Sequence, residues 1–76
     1  MVEVFKTNVQ EPFHADILLK LIHKSFNEVN ASFDLEDRDK ILRVESLSVI
    51  ENDRLINLIQ SLGFVIEVLP DEAHLN

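Results

Sequence analysis

V-E-V-F-K-T-N-V-Q-E-P-F-H-A-D-I-L-L-K-L-I, residues 2–22, decides the fold of this chain. Its first eight residues are rich in β-formers and alternate imperfectly, which predicts a first strand over 2–9. Pro12 stands where a helix begins, because its missing N–H costs nothing in a first turn. Ala15, Leu18, Leu19, Ile22 and Phe26 then recur at helical spacing, one apolar stripe of a helix that ends near Asn27. Asp16 near its start and Lys20 and Lys24 further on suit the helix dipole. In a small α/β domain a strand-to-helix corner is where ligand sites gather, because helix amides and loop side chains converge there. This corner holds Asn8, Gln10, Glu11 and His14, with no cysteine, glycine or basic residue. That set names no chemistry by itself.

Working outward, Ala31, Phe33 and Leu35 alternate with Ser32, Asp34 and Glu36, the mark of a strand buried on one face. Asp37-Arg38-Asp39 is a polar turn, and Leu42 and Val44 among Ile41, Arg43 and Glu45 give a third strand and a hairpin. Ser48-Val49-Ile50-Glu51 matches a capping box, which predicts a helix start there. Leu55, Leu58, Ile59 and Leu62 form the second helical stripe, and Gly63, the only glycine, suits a left-handed helix end. A fourth strand follows over 64–69, stopped by Pro70, with a polar tail over 71–76. The order is β-α-β-β-α-β. Two interleaved right-handed strand–helix–strand units give an α+β, ferredoxin-like sandwich, a four-stranded antiparallel sheet with both helices on one face.

Seventy-six residues make one domain, 1–70 plus the tail, and a chain this short buries only about 60% of its unfolded surface. Without cysteine, neither disulfides nor thiolate metal sites are available. No apolar run approaches the roughly 20 residues of a membrane span, and no signal-peptide pattern opens the chain, so the expected address is cytoplasmic. The formal charge of −7 opposes a phosphate backbone and argues against nucleic acid as partner. RNA-recognition motifs share this topology but stack bases on aromatics of the central strands, and here the third strand turns out Ile41, Arg43 and Glu45. No nucleophile–histidine–carboxylate set or phosphate loop is legible, so no enzyme and no catalytic residue is expected.

Phe33-Asp34-Leu35 followed by Leu42-Arg43-Val44, and Leu62-Gly63-Phe64 after an apolar stripe, resemble the heavy-metal-associated domains of copper chaperones and metal-pumping ATPases. Asn8-Val9 falls where that family has Gly-Met. The resemblance covers nearly the whole chain. It puts the family's C-x-x-C on Glu11-Pro12-Phe13-His14, or, shifted by one residue, on Gln10 to Phe13. Losing both thiolates removes the soft ligands that select Cu(I), so the resemblance implies the family's fold without its copper transfer.

Two candidate sites follow. Glu11 and His14, an i, i+3 pair at a helix start, are positioned to share a weak Zn or Ni ion; the plainer reading is a dipole-favoured glutamate beside an exposed histidine. The acidic hairpin, Asp34 to Asp39, lacks the glycine and distant glutamate of a calcium loop and reads as a solvated tip. The second candidate is the open face of the sheet. With Val2 and Val4 turned toward the helices, Phe5, Ile41, Val65 and Leu69 would form an outward apolar patch that pairs with a second copy or another protein. Scattered apolar residues on a half-exposed sheet are the ordinary alternative. The expectation is therefore an interaction or regulatory module without a required cofactor. Its rivals are a weak divalent-metal binder and a small-molecule sensor of the ACT type.

Overall fold

Residues 1–70 are described by the computed structural model, so the expected tail over 71–76, with His74, lies outside the described residues. The elements run β1 (Val2–Thr7), α1 (Pro12–Ser25), β2 (Val29–Asp34), β3 (Ile41–Ser46), α2 (Asn52–Ser61) and β4 (Ile66–Val68). All pairings are antiparallel, in the order β2-β3-β1-β4. Read from the other edge that is 4-1-3-2, the arrangement two interleaved β-α-β units produce. The fold expected from the sequence is the one found. Among the described residues no helix is long and apolar enough to cross a membrane.

One core joins the helices to one face of the sheet. From α1 come Ala15, Leu18 and Ile22, and from α2 Leu55 and Ile59. They meet Phe5, Ala31, Leu42, Val44 and Ile66 of the strands. Leu19 and Phe26, read as part of the α1 stripe, pack at its margin, as does Leu58 of α2. Each helix thus buries an apolar stripe, the pattern the spacing dictated.

The register of β1 differs from expectation. Phe5 is 0% exposed and faces Leu42 across β3, while Val2 is exposed and Val4 half-buried on the opposite side. Side chains alternate strictly along a strand, so Phe5 inward carries Glu3 and Thr7 inward and sends Val2, Val4 and Lys6 out. The physical reason is size. Burying a phenyl ring removes more apolar area from water than a valine does, and Val9 two positions beyond Thr7 is fully buried as well. Thr7 tolerates burial because its hydroxyl donates to the Lys40 carbonyl at 2.6 Å and accepts from the Val9 amide at 3.2 Å.

The ends of α2 show one failure and one success of local reading. The capping box at Ser48 does not form: the helix begins at Asn52, with Glu51 as N-cap and no side-chain cap bond. Ser48 instead donates its amide to the Ser46 hydroxyl at 3.2 Å, and Ile50 is drawn into the core, which turns the chain before the helix starts. At the other end Gly63 has φ +93°, the Gly63 amide donates to the Gln60 carbonyl at 2.9 Å, and the Phe64 amide to the Ile59 carbonyl at 3.4 Å. That pair of bonds is a Schellman motif, which only a residue without Cβ adopts cheaply.

The β1 register has a direct thermodynamic signature. Phe5→Ala should cost about 3–5 kcal/mol, whereas Val4→Ala on the open face should cost about 1 kcal/mol or less. Urea melts of the two variants measure this; a larger cost for Val4→Ala than for Phe5→Ala would put Val4, not Phe5, in the core.

Candidate functional site

The helix-free face of the sheet is the first candidate. With β1 in its observed register, that face presents Val4 between Arg43 of β3 and Leu69 after β4, with Ile41 diagonally placed on β3. The Leu69 amide donates to the Val4 carbonyl at 2.8 Å, so these two residues are fixed neighbours. Val4, Ile41 and Leu69 floor a shallow groove of about 430 Å³, whose other walls include Ser32, Asp34, Asp39 and Arg43. Of the four residues expected to form an outward patch, Ile41 and Leu69 come together here. Val65 is 63% exposed but lies just before β4 begins, outside the groove. Phe5 is in the core, and Val4 takes its place. Neither β1 nor β3 turns an aromatic ring to this face, since their outward residues are Val2, Val4, Lys6, Ile41, Arg43 and Glu45.

The acids beside the groove are largely engaged in making the hairpin. Asp34 Oδ1 accepts the amides of Glu36 at 3.2 Å and Asp37 at 3.3 Å, and Asp37 Oδ1 accepts the Asp39 amide at 2.8 Å. Lys40, at φ +48°, closes the turn and sends its ammonium to the Leu35 carbonyl at 2.8 Å. Carboxylates that bond their own backbone two or three residues on are turn formers. Asp39 also lies 3.8 Å from the Lys6 ammonium, an exposed pair that adds little to stability.

A second surface lies at the corner the opening stretch pointed to, and the sequence reading missed its apolar character. Phe13 is 70% exposed, and Ile17 and Leu62 are exposed as well. His14, Ile17, Leu18, Leu62 and Phe64 line a cleft of about 240 Å³ between the start of α1 and the end of α2. The His14 ring meets Phe64 edge-on, centroids 5.5 Å apart, and tilts toward Phe13 at 6.0 Å. The signal for this patch was present: Phe13 and Ile17 are apolar residues off the inward stripe of α1, which a helix on a single core does not need.

Glu11 and His14 fall in the same first turn of α1, Glu11 as N-cap, and both are exposed. Among the described residues no group of three or more His, Cys, Asp or Glu side chains gathers in a metal-holding arrangement. His23 lies at the far end of α1, where its Nε2 accepts the Ala31 amide at 3.1 Å, so that lone pair is already in use. Comparison with known protein families, curated proteins and solved structures finds no match to this chain.

Phe13 and Ile41 both lie outside the buried core. Phe13→Glu and Ile41→Glu should each change stability by about 1 kcal/mol or less, while Leu42→Glu, which buries an unpaired charge, should cost about 4 kcal/mol or more. Thermal melts of the three variants give the comparison; a large loss from Phe13→Glu would make the corner patch a packing feature.

Proposed function

We propose that this chain is a small, non-enzymatic protein-binding module, resembling heavy-metal-associated domains in its scaffold and lacking their thiolate site. The observation that carries this reading is the apolar corner: Phe13 is 70% exposed with its ring 6.0 Å from that of His14, and His14, Ile17, Leu62 and Phe64 line one cleft. Exposed aromatic and aliphatic side chains that contribute nothing to the core are the raw material of interface hot spots. The surrounding −7 charge keeps such a surface soluble and favours partners that are neutral or basic around their own apolar contact. No basic stripe and no open-face aromatic platform supports nucleic acid as the partner. In this reading the module works in the cytoplasm and needs no cofactor.

A metal reading keeps one supporting observation, the shared first turn of Glu11 and His14. Two protein ligands leave the rest of a zinc shell to water, so binding through them would be weak and readily reversed by a chelator.

Concentration-dependent NMR shifts test the proposal first with a second copy as the partner, then with in-cell photocrosslinking from position 13. Shifts or crosslinks should map to Phe13, His14, Ile17 and Leu62 and vanish in Phe13→Glu. Contacts abolished by Ile41→Glu alone would assign binding to the open-face groove instead. An absence of both would remove the module reading. Zinc added to the same samples should move the His14 ring signals before those of His23, whose Nε2 is occupied; saturation lost on His14→Ala would favour the metal reading.

A further inference from the structure

Among the described residues, the ladder bonds of the sheet leave one long edge. β3 turns the backbone groups of Leu42, Val44 and Ser46 toward β1, as the Ser46 amide donating to the Met1 carbonyl at 2.8 Å shows. Ile41, Arg43 and Glu45 therefore exchange bonds with β2, through their partners Asp34, Ser32 and Asn30. That leaves Val29, Ala31 and Phe33 with backbone N–H and C=O groups pointing off the sheet. β4, the opposite edge, is three residues long and is followed within two residues by Pro70, which has no N–H to offer.

An open edge of this kind is a template for another strand. Here its central donor is stopped by a side chain. His23, in the last turn of α1, reaches across so that its Nε2 accepts the Ala31 N–H at 3.1 Å. Imidazole can accept there only with its proton on Nδ1. His23 is exposed and lies outside the buried core, and among the described residues this bond is its one side-chain hydrogen bond.

We propose that the free edge of β2 is a strand-pairing site for a second copy of this chain, and that His23 is the latch that keeps it shut. The strand is self-complementary. A two-fold axis at Ala31 sets Ala31 against Ala31 and returns the free backbone groups of Val29 and Phe33 to each other. On the helix side it places each half-buried Phe33 opposite the partner's Val29, an aromatic–β-branched cross-strand pair. On the open side it matches Asn30 with Ser32, which can hydrogen-bond. The central Ala31 is small enough to meet its own image. Opposing the pairing, Asp34 comes level with the partner's Glu28, both exposed, so salt should favour association.

Sedimentation velocity at sub-millimolar concentration compares wild type, His23→Ala and the double variant His23→Ala/Ala31→Pro. Wild type should be monomeric in this edge, and His23→Ala should shift to a dimer, more so in high salt. Proline is tolerated where an edge N–H faces outward, so Ala31→Pro should return the protein to monomer without unfolding it. Amide exchange on the same samples supplies an independent reading. At concentrations where His23→Ala is monomeric, its Ala31 amide should exchange about tenfold faster than in wild type. In the dimer, the Val29, Ala31 and Phe33 amides should become protected together. A His23→Ala protein that stays monomeric, a dimer that survives Ala31→Pro, or a dimer that leaves those three amides unprotected would each overturn the proposal.

Discussion

Phe5 packed into the core opposite Leu42, at the centre of the β1–β3 pair, is the contact from which the other placements follow. β1 is an inner strand, so its register binds both neighbours at once. Because the side-chain period is two, putting the phenyl ring inside decides every other position on β1. Thr7 goes in and ties the corner to Lys40. Val4 goes out and meets Leu69 and Ile41, which creates the open-face groove. Glu3 also goes in, and this is the cost of the arrangement. Its carboxylate accepts from Asn52 Nδ2 at 2.8 Å, while the buried Asn52 Oδ1 has no partner among the described residues. Turning that amide over would set two acceptors against each other. An orphaned acceptor costs about 1–3 kcal/mol, less than the several kcal/mol at stake in burying the ring.

Much of the fold was legible because its signals are local. The α1 stripe from Ala15 to Phe26, Pro12 at the first helical position and Gly63 after α2 each carry their structural reason in their own side chain or its absence. The register of β1 was not, because both parities of V-E-V-F-K-T carry apolar residues. Val2 and Val4 compete with Phe5 and Val9, and only the depth of the core beneath the strand decides between them. The capping box failed for a related reason. Ser48 and Glu51 have the right spacing, but Ile50 between them is pulled into the core, and the helix starts after it. Tertiary burial overrode a local motif worth about 1 kcal/mol.

The candidate sites were legible only in part, and the part that failed traces to the same strand. Ile41 and Leu69 were placed on the open face by alternation alone, and they are there. Phe5 was not, because its position follows from the register. The corner cleft escaped because the residues that line it, His14, Ile17, Leu62 and Phe64, come from two helix ends that the topology brings together. Nor could the His23–Ala31 bond be read, since nothing in the seven intervening residues says that the last turn of α1 reaches the edge of β2.

The open-face groove and the β2 edge are not independent surfaces. Ser32, Phe33 and Asp34 belong to the edge strand and also wall the groove, so the groove begins where the edge ends. A stable protein interface buries roughly 800 Å² on each partner, more than Val4, Ile41 and Leu69 can supply alone. Pairing two copies along β2 would carry the sheet across the two-fold axis and bring two such grooves onto one continuous face. The apolar floor would then double, while each Asp34 came level with the partner's Glu28, one such pair at either end of the seam, where salt screens the repulsion. His23 would thereby govern more than one hydrogen bond: while it holds the Ala31 amide, each groove stands alone and is small. Under the two proposals together, the corner patch would be the surface on which a monomer binds, and the open face would gain weight only once the latch is displaced.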